Sequence, residues 1–145
     1  MTIHDLAVGQ SAETTRTVTE RDIALFAEVT GDHNPVHFDE AYAATTRFGG
    51  RIAHGMLTAG LVSGVLGMKL PGPGVVYIAQ TLRFLRPVRI GETVTARVEV
   101  LEILVEKGRA RLSTTCRNQQ GEAVLDGEAV VLVPREAPAL TPPPG

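Results

Sequence analysis

The chain has 145 residues, 43% apolar and 21% charged, which is the make-up of one globular domain with its own core rather than a disordered or fibrous protein. A single cysteine, Cys116, excludes an internal disulfide and suits a reducing compartment; a net charge of −2 suggests no nucleic-acid partner. The start MTIHDLAVGQ lacks the basic and apolar run of a secretory signal, and the most apolar stretch, Met56 to Leu70, is broken by glycines and shorter than the ~18 residues of a membrane span. A cytoplasmic protein without a membrane partner is expected.

Ser11 to Val18 is threonine-rich and reads as a short strand. Thr19 followed by Asp22 has the spacing of a helix start; Ile23, Phe26, Ala27 and Thr30 mark one helical face, and Gly31 suits the stop. A polar connection, Asp32 to Phe38, follows. Asp39 caps a second short helix that ends before Gly49 and Gly50. The run from Met56 to Leu70 is apolar nearly all round, so as a helix it must be buried on most sides, and its Ala59, Gly60, Gly64 and Gly67 would let a neighbouring backbone approach closely. Pro71 to Gly74 end it.

The remainder reads as strands. Val75 to Val88, Thr93 to Val105, Arg109 to Asn118 and Glu122 to Val133 are separated by short turns at Gly91–Glu92, Lys107–Gly108 and Gln119–Gly121. Connections this short imply antiparallel pairing. The fold class is therefore α+β, a long antiparallel sheet around one helix. A single domain is expected over residues 1–134, with a proline-rich tail, disordered in expectation, over 135–145.

Charge is unevenly spread. Residues 41–90 carry Arg47, Arg51, Lys69, Arg83, Arg86 and Arg89 and no carboxylate. Such a block either attracts anions to a pocket or is a set of solvated arginines.

The densest group of reactive side chains is Gly31 to Asp39, GDHNPVHFD. His33 and His37 have a helical metal-site spacing, but Pro35 removes a helical N–H and pushes Asn34 out of the α region. No helix is expected there, and no metal. Asp32 and His37 read instead as an acid/base pair brought together by an Asn34–Pro35 turn. Asp32 follows the negative end of a helix macrodipole, where a partly desolvated carboxylate makes a better base. Taken alone, such a pair is more often a turn cap and a core histidine. Gly55 adds context: at the start of the apolar helix its N–H is an unpaired donor, suited to an oxygen that becomes negative during reaction. Ser63 does not lie in a nucleophile elbow; it either bonds back to a carbonyl or supports the pair.

The run TGDHNPVHFDEAYAATTRFGGRIAHGMLTAGLVSGVLG resembles the MaoC-like dehydratases, and within them the (R)-specific enoyl-CoA hydratases of the hotdog superfamily. The D-x-N-P-x-H-x-D pattern matches Asp32, Asn34, Pro35, His37 and Asp39, and the later H-G-M-L and S-G match His54 to Leu57, Ser63 and Gly64. The resemblance continues through YIAQTLRFLRPVRIGETVTARVEV. It implies a hotdog subunit that forms a homodimer, needs no cofactor, and acts on a trans-2-enoyl-CoA thioester. Asp32 and His37 would be catalytic, the Gly55 N–H would hold the thioester oxygen, and Asn34 and Ser63 would support them. Arg83, Arg86 and Arg89 are candidates to meet the phosphates of coenzyme A. One departure is Gly50, where some relatives carry bulkier residues, which bears on the pocket mouth. Two other readings stand beside this one: a hotdog thioesterase, many of which place a carboxylate on the central helix that this chain lacks, and a non-catalytic acyl-CoA-binding subunit.

Overall fold

A computed structural model describes residues 1–137; most of the expected proline-rich tail, from residue 138 on, lies outside the described residues. The first strand, β1 (Ser11–Thr17), leads into α1 (Glu20–Thr30). Thr19 caps α1 by accepting from the Asp22 N–H while Asp22 reaches back to the Thr19 N–H, and Gly31 closes the helix at a φ of 77°, where a side chain would be strained. Next come two short helices, α2 (Pro35–Phe38) and α3 (Glu40–Ala44), and then the long α4 (Gly55–Met68). The strands β2 (Val76–Gln80), β3 (Arg83–Phe84), β4 (Thr93–Leu104), β5 (Arg109–Arg117) and β6 (Ala123–Leu132) complete the chain.

All pairings are antiparallel, in the order β1-β4-β5-β6-β2, with β3 also on β6. Alternate residues of β4 and β5 (Val94, Ala96, Val98 and Val100; Ala110, Leu112, Thr114 and Cys116) are buried, so one face of the sheet is the core face. Onto it α4 packs with Val62, Val65 and Leu66. A sheet curved over one long helix is the hotdog architecture.

Three local expectations fail for identifiable reasons. The polar connection at 32–38 contains one turn of helix, because Pro35 occupies its first position, where the missing N–H would be unpaired anyway. Asn34 caps that turn by accepting from the Val36 N–H, so His33 stays outside it. The strand expected at Val75 to Val88 is split into β2 and β3. Between them the Thr81 carbonyl comes so close to Gly127 of β6 that a Cβ there would collide with it; the Gln80 side-chain amide donates to that carbonyl and to the Thr114 hydroxyl. The third concerns α4, which is buried on one flank only. Met68 is 74% exposed, and among the described residues nothing outside the helix lies within 4 Å of a Cβ built on Gly60, Gly64 or Gly67, so none of their backbone approaches that stripe.

The split edge strand generates a prediction. Gly127→Ala must displace the Thr81 backbone, and overpacking of this kind costs about 1–3 kcal/mol. Urea unfolding of the variant should show a lower midpoint with an unchanged slope, whereas wild-type stability would show that the break does not depend on Gly127.

Candidate active site

Three of the four residues from Arg51 to His54 hold the loop that carries Asp32 and His37. The Ile52 N–H donates to the Val36 carbonyl at 3.3 Å, and the Ile52 carbonyl accepts from His37 Nδ1 at 2.7 Å. Arg51 Nε donates to the His37 carbonyl at 2.8 Å, while the same guanidinium makes a two-pronged ion pair with Glu20 at the start of α1, at 2.7 and 2.8 Å. His54 Nε2 donates to the Asp32 carbonyl at 2.9 Å. The loop is also braced locally. The Asp32 N–H donates to the Thr30 hydroxyl, and Asp32 Oδ1 accepts from the Asn34 N–H, both at 3.2 Å.

This bracing gathers three side chains. One oxygen of Asp32 and one ring nitrogen each of His37 and His54 lie within 4.8 Å of one another. Because the Ile52 carbonyl can only accept, Nδ1 of His37 carries the proton and Nε2 presents a lone pair. Burial pushes the His37 pKa below its ordinary value, helped by the neighbouring His54; the Ile52 bond and the Asp32 charge act in the opposite direction. The His37 side chain is thus a neutral base at neutral pH. Asp32 itself is exposed in the single chain, so the desolvation expected of it is absent there.

The same three groups could in principle ligate a cation. One nitrogen of each imidazole bonds a backbone carbonyl, which leaves the other for a cation or a proton, and the rings stack with centroids 3.8 Å apart at an interplanar angle of 31°. His33 does not join them; it is exposed, with its ring 5.8 Å from that of Phe38.

Gly55 opens α4. His54, the cap residue, supplies no side-chain cap, and among the described residues the Gly55 N–H has no acceptor. A Cβ on Gly55 would lie 2.7 and 2.8 Å from carbons of the Phe84 ring, so a larger residue there would displace either that ring or the start of α4. The Gly55 backbone borders an apolar cavity of about 390 Å³, lined also by Phe48, Thr58, Phe84 and Val124. That volume is in the range of small-molecule sites. A second, shallower groove between α1 and α4 includes Phe26, Thr30 and Met56, and Met56 borders both hollows. Asp32 and His37 line neither.

The remaining candidates separate. Ser63 is exposed on α4, about 12 Å along the axis from Gly55 at the usual rise, and no hydrogen bond within the described residues joins it to Asp32 or His37. Arg83 is held by Asp126 in a two-pronged pair, and the Arg89 side chain donates to the Phe48 carbonyl; neither lines the cavity. Arg86 does, while paired with Glu122 at 3.2 Å. Arg47 lines it too, its guanidinium 4.9 Å from the Phe48 ring centre, and its place in the carboxylate-free block was the one signal for it. Gly50 is buried rather than at the mouth; a Cβ there would lie 3.1 Å from Glu40 Oε1 and 3.2 Å from a terminal nitrogen of Arg89.

Together, the sheet wrapped on one helix defines a hotdog fold, and it carries a carboxylate and an imidazole held on one loop near an uncapped helix N-terminus. Residues 5–123 match the model of the MaoC-like domain family, and the chain belongs to that family. It is 54% identical to a 3-hydroxybutyryl-CoA dehydratase of Methylorubrum extorquens over 93% of this chain and 85% of the relative. It is 52% identical to an (R)-specific enoyl-CoA hydratase of Rhodospirillum rubrum over 90% of each. Among solved structures, the unliganded R-hydratase PhaJ1 of Pseudomonas aeruginosa superposes with a TM-score of 0.88 at 50% identity, covering 99% of this chain and 95% of that one.

The depressed His37 pKa has a consequence for stability. Between the ordinary histidine value near 6.5 and the lower native value, the unfolded chain takes up a proton that the native chain refuses. Stability therefore falls as pH falls through that window. His37→Gln should flatten this part of the stability–pH curve relative to wild type in parallel urea titrations; identical slopes would contradict the burial argument.

Proposed function

We propose that this protein is an (R)-specific enoyl-CoA hydratase, adding water reversibly and with syn geometry to a trans-2-enoyl-CoA to give the (R)-3-hydroxyacyl-CoA. The observation that carries this reading is the convergence of Asp32 and His37, with His37 Nε2 free, beside the open N-terminus of α4. The names of its relatives point the same way.

Water is a weak nucleophile at neutral pH, so a positioned base matters. In the proposed reaction one water sits between the Asp32 carboxylate and His37 Nε2. Asp32 takes a proton as the water oxygen bonds to C3, and the electron pair of the double bond moves toward C2 and the thioester carbonyl. The Gly55 N–H donates to that carbonyl oxygen as it becomes negative. The pair then delivers a proton to C2 on the same face, which restores its starting state. Asn34 contributes by capping α2 and thereby placing His37. Arg86 and Arg47 are the cations that border the cavity where the CoA portion is proposed to enter. A thioesterase is disfavoured because α4 carries no carboxylate, and a purely binding subunit has no use for the free His37 nitrogen. A cytoplasmic location is part of this proposal; among the described residues no helix is long and apolar enough to cross a membrane.

Incubated with crotonyl-CoA, the protein should abolish the conjugated absorbance and yield the R alcohol. Asp32→Asn and His37→Gln should each lower kcat by ~10²–10⁴ while remaining folded. An S product, release of free thiol, or a folded Asp32→Asn protein of near-normal activity would overturn the assignment.

A homodimer joined edge to edge belongs to the same proposal. Strand β2 is one of the two outer strands of the sheet, with Val76 54% exposed and Tyr77 and Ile78 also open, and the bare flank of α4 adds Met56 and Met68. Light scattering after gel filtration should return twice the chain mass of 15.4 kDa; a monomer at micromolar concentration would contradict it.

A further inference from the structure

We infer that His54 is a positioning residue that sets the Asp32 carboxylate against the Gly55 N–H, an inference that rests on the hydratase reading. His54 stands at the cap position of α4 yet gives that helix no cap bond. Its ring is 2% exposed, packed 4.6 Å from the Phe26 ring and 3.8 Å from that of His37. The side chain makes one hydrogen bond, from Nε2 to the Asp32 carbonyl, and Nδ1 is buried without any partner among the described residues. An orphaned buried nitrogen is destabilising. A phenyl ring would fill the same space without that cost, so what the imidazole adds is the Nε2 donor. Among the described residues that donor is also the one bond by which a distant part of the chain grips Asp32; its other bonds, to Thr30 and Asn34, are local. Since His54 is covalently joined to Gly55, one side chain links the group that activates water to the group that receives charge. The spacing between attack at C3 and the carbonyl oxygen is then set by a single rigid ring.

Misplacement of a reacting group by about 1 Å can cost on the order of 100-fold in rate. His54→Phe keeps the ring packing and loses the donor; its kcat for crotonyl-CoA should fall about 100-fold with KM unchanged. His54→Gln carries an N–H at similar reach and should recover most of the loss, although it cannot exchange a proton as imidazole does. Nitrogen NMR of the wild-type protein should show the Nε2–H tautomer at His54. Normal turnover in a folded His54→Phe protein, a Gln variant as impaired as the Phe variant, or the Nδ1–H tautomer would each overturn the inference. The NMR measurement requires neither turnover nor a folded variant, so it tests His54 even where wild-type protein fails to hydrate crotonyl-CoA, a result that would instead remove the hydratase reading.

Discussion

The site depends on a short segment, Arg51 to His54, that reads a loop through its backbone. Arg51, Ile52 and His54 grip the carbonyls of His37, Val36 and Asp32, and Ile52 in return accepts from the His37 ring. Backbone groups are obligatory hydrogen-bonding partners, so each such bond removes a polar group that would otherwise demand water. The loop is also tied at its outer end, because the Arg51 guanidinium that holds His37 is itself gripped by Glu20 of α1. A loop fastened at several points presents its side chains with little reorganisation, which is what a reaction dependent on proton transfer requires.

The same strap runs directly into α4. Its last residue, His54, precedes Gly55, and the Phe84 ring lies against that glycine where a Cβ would collide with it. The apolar cavity beside it therefore begins at an exposed amide donor and continues between hydrophobic walls. An acyl thioester has that same polarity: one strongly polar carbonyl and a long apolar remainder. In a single chain Asp32 and His37 lie outside this cavity, and α4 leaves one flank bare. Both features are accounted for when a second copy covers that side, as the proposed dimer requires.

Much of this was legible in the sequence because it is local chemistry. The Thr19–Asp22 box, the stop at Gly31 and the turns at Gly91, Gly108 and Gly121 follow from residue type alone, and these glycines do adopt positive φ. Asp32 and His37 were readable as a pair since an Asn–Pro turn joins them within a few residues. The misread parts depend on distant partners. β2 and β3 part because of a glycine on another strand, and His54 gains its role from a carbonyl 22 residues earlier. No pattern in the sequence announces such a contact. Arg83 and Arg89 likewise looked free and are engaged within the chain.

The central claim is that one carboxylate and one imidazole act on one water from one side of the substrate. Hydration of a trans-2-enoyl-CoA in heavy water, with the product's C2–C3 proton coupling read by NMR, tests it most directly. The account predicts a single diastereomer in which deuterium and oxygen have added to the same face. Anti addition, or a mixture of both diastereomers formed during turnover, would contradict it.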